Sequence, residues 1–226
     1  MDKTLPGRSR WKRLGRGLLI GLLLLVVLLA AGAVWVRSRV LASLPQLEGT
    51  IMVSGLASDV TIKRDALGVP TIHASNRLDL ARATGFLHGQ DRFFQIDLLR
   101  RQSAGELAEL FGSGVMFLDK QNRVHQFRSR AIRALEHLSD FERQTLHAYA
   151  DGVNSGLTSL GAWPPEYYAL RVDPVDWRPE DSLLVVFSMY LELQGDNGIR
   201  EASLGCMHDL YPRELFNFLT QPDRVW

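Results

Sequence analysis

The chain has 226 residues, 46% of them hydrophobic and 9% aromatic, which is typical of a globular protein with a sizeable core. Eight of its 26 Lys and Arg residues and one of its 25 Asp and Glu residues lie in the first 40 positions, so 18 basic and 24 acidic residues follow. This mildly acidic body excludes nucleic acid as a partner, and a single cysteine, Cys206, excludes an internal disulfide or a zinc site of paired cysteines.

The N-terminus has the pattern of a membrane anchor. Residues 1–16 form a basic tail, expected to be cytoplasmic, and residues 17–36 are uncharged, long enough to cross a hydrocarbon core of about 30 Å as a helix. The excess of positive charge before this run predicts an inner-membrane, single-pass signal anchor with the body in the periplasm or outside. A cleavable signal peptide is the alternative, because residues 31–33 have a small-x-small pattern.

Residues 37–48 are expected to be a linker, and the body to occupy residues 49–226. Two alternating runs, residues 60–64 and 69–73, flank a turn at residues 65–68. This arrangement predicts a β-hairpin, in which Gly68 can supply a positive φ at the turn.

Helical periodicity dominates the rest of the body. Asn76 is predicted to cap a long helix over residues 77–111, which stops at Gly112. The fold class is therefore α+β, mostly helical with a short hairpin. The remaining helical patterns cover residues 120–138, 141–157 with Ser139 and Asp140 as N-cap candidates, 180–193, and 200–219 with an interruption at Pro212.

A polar stripe runs along one face of the long helix, framed by apolar residues. Its members are Thr84, His88, Asp91 and Gln95. A buried Asp91 needs a partner, and His88, Arg92 or the hairpin's Arg64 or Lys63 are candidates. We interpret the stripe, with Arg92, as a structural network. A catalytic His–Asp pair is the alternative, but no Ser or Cys lies in a recognisable nucleophile context, so no catalytic residue is predicted.

Metal-binding patterns are sparse. The histidines never form an H-x-x-x-H or H-E-x-x-H pair. The sequence GDNGIRE brings Asp196, Asn197 and Glu201 together, and such hard oxygen ligands are of the kind that Ca²⁺ prefers. A solvated loop is the simpler interpretation of this segment.

Three stretches in order resemble the α chain of the penicillin acylase family. Residues 60–112 contain a strand ending in Arg-Asp, then Gly-x-Pro-x-Ile, Gln-Asp-Arg-x-x-Gln, a double arginine and Gly-x-x-x-Glu. YADGVNSGL at residues 149–157 and DWRPEDSLLVVFSMYLEL at residues 176–193 follow in the order expected for that family.

The resemblance implies an N-terminal-nucleophile amidohydrolase, made as a precursor that cuts itself into α and β chains and folds as a four-layer α/β/β/α sandwich. In such enzymes the Ser at the β-chain N-terminus attacks a linear amide, with its own α-amino group as the base. The chain is then expected to be the N-terminal portion of an exported hydrolase of N-acyl compounds, of the penicillin or N-acyl-homoserine-lactone type, inactive without its β chain. A non-catalytic, membrane-tethered binding module is the alternative.

The resemblance also implies site residues. Met189 falls on a Met of the acyl pocket, whereas Glu192 and Leu193 stand where well-known members have Arg and an aromatic residue. The reversed charge at Glu192 argues against phenylacetyl groups and penicillin G, and favours a more aliphatic acyl group. Glu201 matches the carboxylate that helps bind a structural Ca²⁺, if a two-residue insertion is allowed. The polar stripe is assigned to the scaffold that holds the α chain against the sheet.

Overall fold

The computed structural model describes residues 8–193 and 198–220, with side chains described from residue 16. In this part of the chain the structure is mostly helical with one two-stranded sheet. The elements, in chain order, are α1 Arg8–Ala42, β1 Thr61–Arg64, β2 Pro70–His73, α2 Arg77–Ala104, α3 Ala108–Phe111, a 3₁₀ turn Gly112–Val115, α4 Met116–Arg123, α5 Phe127–His137, α6 Asp140–Thr158, α7 Pro165–Leu170, α8 Pro179–Leu193, α9 Ile199–Leu210 and α10 Arg213–Thr220.

Helix α1 contains an apolar stretch, Arg16–Ala42, that is long enough to cross a membrane and is not buried against the body. By length and composition it fits a membrane span or a signal sequence. The helix continues six residues past the predicted span, so the first half of the expected linker is helical. The apolar stretch and the first part of the expected linker therefore form one continuous helix as far as Ala42.

The predicted hairpin is present, with each strand starting one residue later than expected. Strands β1 and β2 are antiparallel, with Thr61 opposite His73 and Arg64 opposite Pro70. The turn between them is closed by the Asp65 carboxylate, which accepts hydrogen bonds from two backbone N–H groups of the turn. Gly68 has φ of +80° there, the positive φ that the sequence predicted for this glycine.

Two of the predicted helices are divided. Helix α2 ends at Ala104, not at Phe111, because Gly105 adopts a left-handed conformation and the N–H of Glu106 bonds back to the Arg101 carbonyl. The helix predicted over residues 120–138 is likewise split into α4 and α5 around Gln126, which has φ of +53°. Both breaks allow the chain to fold back over the C-terminal half of α2.

Helices α2 and α6 pack with their backbones in contact. The predicted cap Asn76 is present on α2, and of the two candidates for α6 it is Ser139 that caps the helix, in a capping box with Glu142. Added Cβ atoms at the crossing would lie only 2.0–2.1 Å from a carbonyl oxygen of the facing helix. The four glycines with this property are Gly85 and Gly89 on α2 and Gly152 and Gly156 on α6.

The core lies around this crossing. One cluster of buried apolar side chains joins α2, α3, α6, α7 and the segment before α8: Phe93, Leu110, Ala150, Val153, Leu157, Tyr167 and Trp177. A second cluster lies where α8 packs against the end of α2 and against α5: Ala104, Phe127, Ala131 and Leu184. The second cluster fixes the position of α8, the helix on which the family resemblance places the substrate-binding residues.

Candidate functional site

A cluster of charged side chains holds α2, α5 and α8 together, and we call it the arginine–carboxylate cluster. Its members are Asp97, Arg100, Arg101, Glu106, Arg128 and Asp181. Asp97 is fully buried, and one of its oxygens, Oδ1, accepts from Nε of Arg100 at 2.7 Å and from Nε of Arg101 at 2.9 Å. Its other oxygen accepts from the Tyr167 hydroxyl at 2.7 Å. Both carboxylate oxygens are therefore satisfied.

The same cluster fixes the start of α8. Buried Asp181 accepts from Nη1 of Arg100 at 2.6 Å and from Nη1 of Arg128 at 3.0 Å. It also accepts from the backbone N–H of Arg178, the residue just before α8. Arg128 binds the carboxylate of Glu106 with two further N–H groups. One carboxylate thus connects the N-terminus of α8 to both helices beneath it.

Sequence reasoning missed this cluster, although a signal for it was present. Asp97 lies three and four residues before Arg100 and Arg101, a spacing that puts opposite charges on one side of a helix. The signal predicted a surface ion pair as readily as a buried one. Only the contacts with Tyr167 and Asp181, distant in the sequence, bury the group.

With one side of α8 packed against the body, its C-terminal half presents an apolar surface, here called the α8 face. Leu184 and Ser188 are buried on the packed side. The α8 face consists of four exposed side chains: Val186 (59% exposed), Met189 (59%), Tyr190 (48%) and Leu193 (75%). The two apolar residues predicted to bind substrate, Met189 and Leu193, thus share one surface, and Glu192 is exposed beside it. This surface can bind an apolar group but carries no nucleophile.

An open groove adjoins the α8 face. It has a volume of about 680 Å³, and Tyr190 belongs to both surfaces. Phe127 and Phe187 stack on each other in it with ring centroids 4.7 Å apart, and Arg130 and Arg133 of α5 are exposed at its side. The groove therefore combines an aromatic surface with positive charge.

The polar stripe lies on the exposed side of α2, not on the buried side where the sequence pattern indicated it. The buried residues Phe86, Phe93 and Asp97 lie on the roughly opposite side of the helix, which faces α6 and α7. Arg64 of β1 pairs with Asp91 at 2.8 Å, as one of the candidate pairings anticipated. The stripe faces away from the core because α2 packs against α6 through its glycines, and not through the apolar residues that flank the stripe.

The other stripe residues do not form one continuous network with Asp91. The side chains of Arg92 and Gln95 are exposed and form no hydrogen bond or ion pair with the described part of the chain. Arg92 instead marks a kink in α2, with a non-helical φ of −142°. The structure thus brings two of the four predicted network residues, Asp91 and His88, into separate polar contacts.

His88 bonds to a tyrosine and not to the carboxylate of a catalytic pair. Its Nδ1 lies 2.7 Å from the Tyr149 hydroxyl, and the two share a hydrogen bond whose direction is set by the tautomer of the imidazole. Burial lowers the pKa of His88 and the charge of Asp91 opposes this shift, whereas burial raises the pKa of Tyr149 to about 12. No Ser, Thr or Cys of residues 16–193 or 198–220 bonds to His88.

We predict that Asp91→Asn lowers the pKa of His88 further, because it removes the charge that favours the imidazolium. In the wild type the pKa of His88 lies below 6.5, so its neutral form contributes stability that is lost as the pH falls below about 6.5. NMR titration of the His88 ring, assigned with His88→Gln, measures both effects. Asp209→Asn, on α9, is the control and should leave the midpoint unchanged; a rise of the midpoint in Asp91→Asn would contradict the prediction.

Only one of the three predicted calcium ligands lies among the described residues. Asp196 and Asn197 lie outside the described residues, and Glu201, in the first turn of α9, is exposed. Within residues 16–193 and 198–220, no three His, Cys, Asp or Glu side chains are grouped so as to hold a metal ion. Glu201 alone supplies one carboxylate, fewer ligands than the six to eight oxygens that Ca²⁺ takes. The described residues by themselves therefore do not fit a calcium site.

Comparison with solved structures identifies the class of fold. The chain superimposes on a chain of a thermostable penicillin G acylase from Alcaligenes faecalis with a TM-score of 0.60 and 26% sequence identity. The match covers 74% of this chain and 93% of the solved chain. The fold is therefore that of a penicillin acylase chain. A family model for penicillin amidase matches residues 59–221, so the protein belongs to the penicillin amidase family.

Curated relatives agree with this assignment. The chain is 37% identical over 150 residues to the penicillin acylase 2 proenzyme of Pseudomonas sp. (strain SE83), covering 66% of this chain and 19% of the relative. It is 34% identical over 152 residues to the acyl-homoserine lactone acylase QuiP of Pseudomonas aeruginosa, covering 67% and 18%. The chain thus spans about a fifth of the length of the curated relatives that it matches.

Proposed function

We propose that this chain is the α-chain-like part of an exported, membrane-anchored amidohydrolase that cleaves linear amide bonds of N-acyl compounds. One observation carries the proposal: the chain matches 93% of a separate solved acylase chain but only 19% of a related proenzyme. The nucleophilic Ser then belongs to a β-chain-like segment outside these residues. That Ser attacks the amide carbonyl, and its own α-amino group takes the proton.

Unpartnered surfaces of the body support a second segment. Within the described residues the sheet consists of β1 and β2 alone, so each strand has an unpaired edge. The α8 face is a contiguous apolar surface in the same body. Pairing of the hairpin with strands of a β-chain-like segment completes the proposed four-layer α/β/β/α sandwich, and the same segment covers part of the α8 face.

The α8 face supports an aliphatic acyl group as the substrate's apolar part. Of the α8 face, the two residues that the resemblance assigns to the acyl pocket, Leu193 and Met189, are flexible aliphatic side chains, and neither offers the flat surface that stacks on an aryl ring. The aromatic member of the face, Tyr190, belongs also to the adjoining groove. Glu192 places a negative charge at the edge of this surface, which disfavours an anionic substrate there. In this proposal the chain's own residues bind and orient the acyl group while the Ser supplies the bond-breaking step.

Two further parts of the proposal concern location and calcium. The apolar helix and the positive charge before it support an inner-membrane anchor with the body in the periplasm. Glu201 contributes one carboxylate to a structural Ca²⁺ site whose other ligands come from residues beyond those described. Isothermal titration of the processed enzyme with Ca²⁺, compared with Glu201→Gln, tests the second point; equal affinities would contradict it.

The central test uses the gene together with the genomic sequence that follows codon 226. We expect a product that is processed into two chains, the second beginning with Ser, as read by N-terminal sequencing. The processed enzyme should release primary amines from straight-chain N-acyl amides, and replacing that Ser by Ala should abolish the release. Absence of a Ser-initiated segment, together with no hydrolysis, would overturn the proposal and favour a non-catalytic binding module.

Leu193→Ala should weaken the enzyme's preference for long acyl chains. Removing buried methylene and methyl groups from an apolar pocket costs about 1–3 kcal/mol, which corresponds to a loss of about 10- to 200-fold in kcat/KM. The measurement is kcat/KM for N-acyl amides of increasing chain length. Leu67→Ala, at the exposed hairpin turn, is the matched control and should change nothing. Equal losses for short and long acyl chains would show that Leu193 does not contact the acyl group.

A further inference from the structure

The last turn of α1 is attached to the body. The backbone N–H of Ala162 donates to the carbonyl of Ala42 at 3.1 Å. The backbones also approach closely beside this bond, because a Cβ added at Gly161 would lie 3.2 Å from the same carbonyl oxygen. The membrane helix and the segment that follows α6 are thus in direct contact.

A group of aromatic rings extends this contact toward the membrane span. The Trp35 and Tyr168 ring centroids lie 6.1 Å apart with the rings nearly perpendicular, and the Trp163 ring stacks on Tyr168 with a centroid distance of 6.2 Å. The Arg39 guanidinium is 5.9 Å from the ring centroids of both Trp35 and Tyr168. We call these four residues the boundary cluster.

The position of Trp35 sets the depth of the boundary cluster. The uncharged run of residues 17–36 is about 30 Å long as a helix, which equals the thickness of a hydrocarbon core. Trp35 therefore lies at the outer edge of the core, where Trp and Tyr are enriched. Since Tyr168 contacts Trp35, residues 161–171 of the body lie at nearly the same level.

We propose that residues 161–171 form a second membrane contact, in which Trp163 and Tyr168 enter the headgroup region of the outer leaflet beside Trp35. This inference rests on the proposed membrane anchoring and adds to it a fixed placement of the body. The partner is the phospholipid interface, which suits rings that are apolar at one end and polar at the other. Trp163 is 40% exposed and free to contact lipid, and Arg39 places a positive charge at phosphate level. The anchor then holds the body in a fixed position relative to the membrane surface.

Spin-label depth measurements on the full chain test this placement. The chain is reconstituted in vesicles of phosphatidylethanolamine and phosphatidylglycerol, with single cysteines introduced in a Cys206→Ser background. Ala169→Cys places a label at an exposed position of α7 while leaving the boundary cluster intact. Gln144→Cys, on α6 about 21 Å along the helix from Thr158, is the aqueous control, and Val27→Cys reports the middle of the span.

We expect the label at position 169 to report the depth of the lipid phosphates, between the hydrocarbon depth of position 27 and the aqueous value of position 144. If position 27 is in lipid while position 169 is as aqueous as position 144, the second contact is wrong and the anchor stands. If position 27 itself is aqueous, the anchoring proposal fails, and the second contact fails with it.

A substitution in the cluster gives an independent readout. Tyr168→Ser removes the ring that contacts Trp35, so the label at position 169 should become as accessible to water-soluble relaxation agents as the label at position 144. Tyr190→Ser, at an exposed Tyr on α8, should leave the depth at position 169 unchanged. An unchanged depth in Tyr168→Ser would overturn the role of the boundary cluster even if the body folds normally.

Discussion

Gly89→Ala is expected to unfold much of the body, because the added methyl group would lie 2.1 Å from the Val153 carbonyl oxygen. That oxygen belongs to the backbone of α6 and cannot move without the helix. Separating α2 from α6 also loosens Phe93 and Val153, which are in the core beside the crossing. Overpacking of a well-packed core costs about 1–3 kcal/mol and occasionally more, and with backbone on both sides we expect about 3 kcal/mol or more.

Urea unfolding of the full chain in detergent micelles, followed by circular dichroism, measures this loss. Gly205→Ala is the matched control, because Gly205 is also a helical glycine but a Cβ there meets nothing within 4 Å. On helix propensity alone that substitution should stabilise the chain by up to about 1 kcal/mol. If both substitutions raised stability, the close backbone crossing of α2 and α6 would be wrong.

The glycine contact shows which parts of the fold the sequence could predict. The Asn76 cap, the Ser139 cap and the Gly68 turn are decided by groups a few residues apart, and all three were among the predictions. The part that Glu142 plays in capping α6 was not predicted. Two glycines four residues apart in each of two helices were equally visible. The role of these glycines could not be predicted, because a glycine in a helix weakens the helix unless another backbone packs against it. Only the fold shows which backbone that is.

The same limit explains the error in the polar stripe. Apolar residues beside His88 and Asp91 indicated a buried face, whereas the face that is buried carries Asp97 and the glycines. Gly105 was also passed over as a helix end, since the apolar periodicity continued to Phe111. In each case a local pattern was outweighed by contacts with distant residues, such as Tyr167 against Asp97.

The residues predicted to bind substrate were identified in another way. Composition and periodicity gave no reason to single out Met189 and Leu193, and only the family resemblance did so. The structure shows that they share the exposed α8 face, whose position depends on Asp181 at the other end of the same helix. A defect at the N-terminus of α8 should therefore reach the α8 face, where substrate binding is proposed.

Asp181→Asn is expected to cost about 3 kcal/mol, because the buried Arg100 and the half-buried Arg128 each lose one of their two carboxylate partners. The amide keeps the shape of the side chain, so the loss reports charge and not packing. Asp140→Asn is the matched control: its ion pair with Arg143 is 86% exposed on the carboxylate side and should contribute no more than about 1 kcal/mol. Urea unfolding measures both variants, and limited proteolysis after α8 should be faster only in Asp181→Asn. Similar costs for the two substitutions would mean that the buried carboxylate does not hold α8 on α2 and α5.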